Sequence, residues 1–212
     1  MPSAVPNIVG VYRIVHIDNL KDILVRGMFA ATHPDRPDDY RFIGNKRLTL
    51  QRKTYRVSVP SGGELGDYVP FYFSKRSVML YNIHTGYGGI EQTPQEQIIY
   101  VLCKLDSLEQ GGCQYCFTDG HAKSNQTRFY TDRADLDKLD WDVLKARQWN
   151  NTLEDRDRMR RKQAELLVRY HVPVSCIDYL VVYNQATQRV VKQIVVDSSC
   201  NVPVATKPLF YY

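Results

Sequence analysis

The sequence predicts an α+β domain, and three observations carry that expectation. Strand-like apolar runs and helical stretches alternate irregularly, without the even beat of a doubly wound parallel sheet. Two runs near the C-terminus, Tyr179–Tyr183 and Val190–Val196, are joined by a short polar link from Asn184 to Gln188 and read as an antiparallel hairpin. The length, 212 residues, suits a single domain spanning 1–212 with a proper hydrophobic core. Hydrophobic residues make up 43% and charged residues 24%, which excludes wholesale disorder and collagen-like repeats. No apolar run approaches the roughly 18–20 residues that span a bilayer. Met1–Gly10 lacks the basic start and apolar stretch of a secretory signal, so a cytoplasmic protein without a membrane partner is expected.

Taken in order, Val9–His16 has the β-branched and aromatic content of a strand. Asp18 is placed to cap a helix over Asn19–Arg26, with Leu20, Ile23 and Leu24 on its buried face and Gly27 as its stop. Pro34, Pro37 and Gly44 make 31–47 a long loop, and Leu48–Arg56 continues helically. Pro60–Gly63 marks a turn. Tyr68–Phe73 is a strand, and Pro70, which lacks a ladder donor, places it at a sheet edge or marks the start of a strand. Ser77–Tyr81 suits a helical turn, and Gln97–Leu102 a buried strand. Gly111–Asn125 reads as irregular and Phe129–Tyr130 as a short strand. Leu139–Trp149 and Thr152–Lys162 read as helices, the second capped by Thr152. From Gln163 to Val168 the pattern fits either a helical extension or a new strand, and Pro173 ends it.

The five cysteines are an odd number and form no disulfide framework. Cys113 and Cys116 make one CxxC with His121 nearby, but a fourth zinc ligand is not evident, so reduced thiols and no metal are expected. The nucleotide, metalloprotease and serine-hydrolase motifs are missing. His16 and His171 read as structural.

Charge is more informative. The net charge is +5, and Arg41, Lys46, Arg47, Arg52, Lys53 and Arg56 form a stretch without an acidic residue, accompanied by Tyr40, Phe42 and Tyr55. Cations neutralise phosphates and aromatic rings stack on bases, so the stretch reads either as a nucleic-acid track or as a solvated basic face. A second run, Arg156, Arg158, Arg160, Arg161 and Lys162, offers further phosphate contacts. Glu165 is the unusual acid. It sits among Ala164, Leu166, Leu167 and Val168, where a carboxylate either points to solvent or lines a cleft.

Six stretches in fixed order resemble the DarT family, the DNA ADP-ribosyltransferase toxins of DarT–DarG toxin–antitoxin systems. They are YRIVHIDNL (12–20), GELGDYVPFYF (63–73), RSVMLY (76–81), FTDGH (117–121), LDW (139–141) and RKQAELLV (161–168). Together they are spread along the chain from residue 12 to residue 168. The resemblance implies a split, mainly antiparallel ADP-ribosyltransferase sheet with an NAD cleft. It implies Glu165 as the catalytic glutamate and Arg52 as a functional arginine. NAD, consumed as co-substrate, would be held by Tyr12, Arg13, Ile14, Lys21, Phe29, Arg52 and Tyr72. Single-stranded DNA would meet Arg47, Lys53, Tyr55, Met79, His121 and Arg161, with thymidine N3 as acceptor. The chain departs from the family at Arg13, where members often carry His. A cognate macrodomain antitoxin that removes ADP-ribose is the implied partner, the protein itself being expected as a bacterial monomer. Two other classes stay open: a non-catalytic single-stranded nucleic-acid-binding module, and a related NAD-consuming transferase acting on RNA or protein.

Overall fold

The computed structural model describes residues 4–60 and 62–212, so Met1–Ser3 of the N-terminal stretch and Ser61 of the Pro60–Gly63 turn lie outside the described residues. The chain forms β1 (Gly10–His16), α1 (Leu20–Arg26), β2 (Met28–Phe29), α2 (Lys46–Lys53), β3 (Tyr68–Tyr72) and α3 (Val78–Thr85). It continues through β4 (Ile98–Lys104), α4 (Leu105–Gln110), β5 (Tyr115–Thr118), β6 (Phe129–Tyr130), α5 (Trp141–Lys145) and α6 (Arg158–Lys162). β7 (Glu165–Arg169), β8 (His171–Val172), β9 (Tyr179–Val182), α7 (Gln185–Asp197) and β10 (Val204–Thr206) complete it. Eight strands make one sheet in the order β10-β9-β4-β1-β3-β7-β5-β6, and β2 pairs with β8 in a small second sheet. Every ladder of the large sheet is antiparallel except β9–β10, so the α+β expectation holds.

Alternation along the strands divides the core. Val11 and Val15 of β1, with Ile99 and Val101 of β4, join Leu20, Ile23 and Leu24 of α1 and Val191 and Val195 of α7. Ile14, Ile98 and Tyr100 face the other way, onto Leu80 and Ile83 of α3. This is the period of two that a sheet covered on both faces requires.

Several elements differ from the sequence expectation. Asp18 does not cap α1. The His16 ring Nδ1 accepts the Asp18 N–H at 3.1 Å instead, opening one 3-10 turn before the helix. Gly27 does end α1: its φ is +82°, its N–H returns to Ile23 O, and a Cβ there would lie 2.3 Å from Val172 O. Pro70 is not on an edge strand, because β3 lies between β1 and β7. Phe73 and Tyr170 N–H groups bond across to Ala164 O and Asp67 O, which puts the odd-numbered residues of β3 in the ladder with β7. Pro70 therefore turns its missing donor toward β1, and there the strands part after the single register pair Tyr12–Tyr72. The proline sits where the sheet splits and no ladder bond is lost.

Val190–Val196 is not a strand. It belongs to α7, which Asn184 caps by accepting the Thr187 N–H at 2.9 Å, and which buries Thr187, Val191 and Val195 at four-residue spacing. β9 finds its second partner in β10, in parallel. The polar stretch from Gly111 contains β5, helix in the Leu139–Trp149 region is confined to α5, and the Thr152–Lys162 region is helical only over α6. Thr152 accepts the Asp155 N–H as a cap would, but the chain then turns away. The ambiguous Gln163–Val168 stretch resolves as strand β7.

Candidate active site

Glu165 opens β7, level with Tyr72 of β3, which is level with Tyr12 of β1, so the three stand in one row across the sheet. The Glu165 N–H donates to Thr118 Oγ1 of β5 at 3.1 Å. Its side chain is 2% exposed. Arg52 reaches it from the last turn of α2, whose N-terminus is fixed by Asn45 accepting the Leu48 N–H. The contact is bidentate: Nη1 to Oε1 at 2.9 Å and Nη2 to Oε2 at 2.6 Å. Oε1 also accepts the Ala122 N–H at 2.9 Å.

Burial alone would raise the Glu165 pKa, but the Arg52 charge and hydrogen bonds, with His121 and the Ala122 N–H, outweigh it and hold the carboxyl below its ordinary value. The same contacts outweigh burial at Arg52 and raise it further. Burial, then the Glu165 charge, keeps the Tyr72 phenol protonated well beyond neutral pH. Burial lowers His121, so its ring favours the neutral form. Around Glu165 itself the site thus holds an ionised acid, the Arg52 guanidinium, the Tyr72 phenol and the neutral His121 imidazole.

These groups line a single cleft at the split between β1 and β3. Of the residues expected to act, Glu165, Arg52, Arg13, Ile14, Phe29, Tyr72, Lys53, Met79 and His121 border it. Tyr12, Lys21, Arg47, Tyr55 and Arg161 do not. Tyr12 turns its ring onto Phe210 and Tyr100. Lys21 and Arg47 are exposed on α1 and α2, and Tyr55 packs on the cluster of Val57 and Leu65.

In the run before β7, Arg156 is exposed and forms no ion pair among the described residues, while the others are already engaged. Arg158 pairs with Asp155, Arg160 with Asp119 and Asp157, and Arg161 with Asp140, Asp155 and Asp157. Lys162 is buried and donates to Leu144 O and Ala146 O. Within the Arg41–Arg56 stretch, Arg41 pairs with Asp18 at 2.7 Å and Arg52 with Glu165, while Lys46, Arg47, Lys53 and Arg56 form no ion pair among the described residues.

Arg36, Asn45 and Gln163 also border the cleft and were not singled out from the sequence. Arg36 lies in a loop that shows no periodic signal. Tyr40 and Phe42, noted there only as aromatic company for the basic stretch, border the cleft as well.

A buried glutamate at the split of a mainly antiparallel sheet, clasped by a guanidinium, is the arrangement expected of an ADP-ribosyltransferase. The comparisons narrow the class: residues 12–212 match the family described as "ssDNA thymidine ADP-ribosyltransferase, DarT", and the chain belongs to that family. It is 35% identical to a DNA ADP-ribosyl transferase of Escherichia coli O127:H6, over 95% of this chain and 93% of that protein. It is 37% identical to one from Thermus sp. strain 2.9, over 87% and 86% of the two chains. Its fold is similar to that of Thermus sp. 2.9 DarT in complex with ADP-ribosylated ssDNA, with a TM-score of 0.91 and 33% identity over all of both chains. The same Thermus protein in complex with NAD+ gives a TM-score of 0.84 at 32% identity, over 99% of this chain and 100% of that one.

Proposed function

We propose that this chain transfers ADP-ribose from NAD to N3 of thymidine in single-stranded DNA, with Glu165 and Arg52 carrying the chemistry. The bidentate pair in the cleft is the observation that supports it most. As the nicotinamide–ribose bond breaks, its electron pair leaves with nicotinamide and positive charge develops on the ribose. A carboxylate hydrogen-bonded to a ribose hydroxyl stabilises that charge. Oε1 already accepts two donors, but Oε2 accepts only from Arg52 and keeps a lone pair for the ribose hydroxyl. The remaining N–H groups of the Arg52 fork are left for the incoming base. N3 forms the new bond to the ribose carbon and its proton passes to solvent. Arginine stays protonated in proteins, so Arg52 stabilises the imide anion by charge and hydrogen bonds and does not act as the base. Single-stranded DNA suits this chemistry because pairing hides N3.

The reading includes a cytoplasmic enzyme acting as a monomer. It also includes an antitoxin with a macrodomain that removes the ADP-ribose. A Thermosipho africanus relative, 22% identical and with 49% of its length covered, is named a DNA ADP-ribosyl transferase–DNA ADP-ribosyl glycohydrolase fusion protein. No helix among the described residues is long and apolar enough to cross a membrane.

Mass spectrometry of thymine-containing and thymine-lacking oligonucleotides after incubation with protein and NAD tests the proposal. One ADP-ribose added only where thymine is present is the expected result. Binding without modification would favour a non-catalytic single-strand-binding module, and modification of both oligonucleotides would move the acceptor off thymine.

A further inference from the structure

The cleft holds more positive charge than the Glu165–Arg52 pair needs. Arg13 on β1 and Arg36 on the loop between β2 and α2 border both the cleft and the smaller recess beside it, where Phe29 and Tyr40 are also found. Arg13 Nη1 donates to Pro70 O at 2.9 Å, which spans the split and fixes the guanidinium. Arg36 stacks over the Tyr40 ring at 4.3 Å, which orients its fork and leaves its N–H edges free. Among the described residues neither forms an ion pair. Of the acids that border the cleft or the recess, Glu165 is committed to Arg52 and Asp22 to Arg26, while Asp35, Asp38 and Asp39, next to Arg36 in sequence, border neither. Burial, and then the Arg13 charge, lower the Arg36 pKa. Two neighbouring cations in a half-buried site without a counter-charge repel each other unless an anion joins them.

We propose that Arg13 and Arg36 together seat the diphosphate of NAD, which makes Arg36 a co-substrate-binding residue. This rests on the NAD-dependent reading above. The diphosphate carries two negative charges and paired oxygens that match two guanidinium forks. The position also fits. Tyr12, the residue before Arg13, stands two strand spacings or about 10 Å from Glu165. Arg13 leaves the opposite face of β1 and reaches the split at Pro70 O, beside the same cleft, so the reacting ribose can lie at Glu165 with the phosphates beside β1. The cations left for the DNA backbone, Lys46, Arg47, Lys53 and Arg56, are on or next to α2.

The test compares ADP with adenosine by calorimetry, and measures transfer kinetics, for wild type, Arg13→Gln, Arg36→Gln and Arg36→Lys. Wild type should bind ADP at least about tenfold more tightly than adenosine, and each Gln variant should bring that ratio close to one. KM for NAD should rise about tenfold or more, while KM for the oligonucleotide changes less than about threefold. Arg36→Lys should fall between, since it keeps the charge and loses the fork. If Arg13→Gln fails to fold for want of its bond to Pro70, Arg36→Gln carries the test alone. An unchanged ADP-to-adenosine ratio would overturn the proposal. So would a rise confined to the oligonucleotide KM, which would assign the pair to the DNA backbone. If wild type binds ADP as expected but modifies no oligonucleotide, the transferase reading fails and the diphosphate seat stands.

Discussion

Glu165 remains ionised at 2% exposure because Arg52 meets both of its oxygens. Glu165→Gln should therefore do two things. Transfer should fall at least about 10²–10³-fold, since the amide cannot stabilise the developing ribose charge as the anion does. Stability should also drop, by about 3 kcal/mol, because Arg52 is left buried with an unpaired charge; thermal unfolding reads this directly. Replacing both residues by apolar ones should restore part of that loss while leaving the enzyme inactive. The pH dependence follows from the lowered Glu165 pKa. The contribution of the pair is complete above the unfolded carboxyl pKa of about 4.3 and is lost only as pH falls through the lower folded value. The stability difference between wild type and Glu165→Gln should stay flat from about pH 8 to pH 5 and shrink below about pH 4. A difference that fades from pH 6 would mean the carboxyl is not held down.

α2 and α6 look alike in composition and differ in what surrounds them. Both are arginine- and lysine-rich, but α6 lies beside Asp119, Asp140, Asp155 and Asp157, whereas α2 leaves Lys46, Arg47 and Lys53 unpaired. Each free cation that reaches a phosphate contributes about −0.7 to the log–log salt slope of single-strand binding. Lys46→Ala or Lys53→Ala should shallow the slope by up to that amount. Arg160→Ala should leave the slope unchanged and instead lower stability, because Arg160 ties Asp119 and Asp157 together across the turn at Gly120. Equal slope changes from both helices would contradict the distinction. The sequence put Asp155 and Asp157 within a turn of the α6 arginines, but the other partners, Asp119 and Asp140, meet it only in the folded chain. The same holds for Val190–Val196. Its β-branched residues favour a strand locally, yet Asn184 and the four-residue spacing of Thr187, Val191 and Val195 commit it to α7. Pro70 was legible as a residue that avoids ladder bonds, but not as one that does so inside the sheet, because the split depends on where β1 and β3 part.

Across the whole molecule, a mainly antiparallel sheet brings a residue near position 52 and one near 165 to a single cleft, 113 positions apart in sequence. Periodicity and spacing cannot reveal such a meeting. Glu165 stood out because it is a carboxylate in an aliphatic segment, and Arg52 because of an acid-free basic stretch, but their pairing needed the fold. Residues with no local signal, Arg36 above all, emerged only from the shape of the cleft. On the proposed mechanism Arg52 positions and stabilises the acceptor base in addition to supplying charge. The most direct measurement is the transfer rate alongside single-strand affinity for wild type, Arg52→Lys and Arg52→Ala. Lysine keeps the charge but offers one flexible donor in place of a planar fork. The prediction is that Arg52→Lys loses about 10²-fold or more in transfer rate, while its affinity for a thymine-containing oligonucleotide stays within about threefold of wild type. Full retention of the rate, or rate and affinity falling in proportion, would contradict the account and leave Arg52 as a phosphate-binding charge.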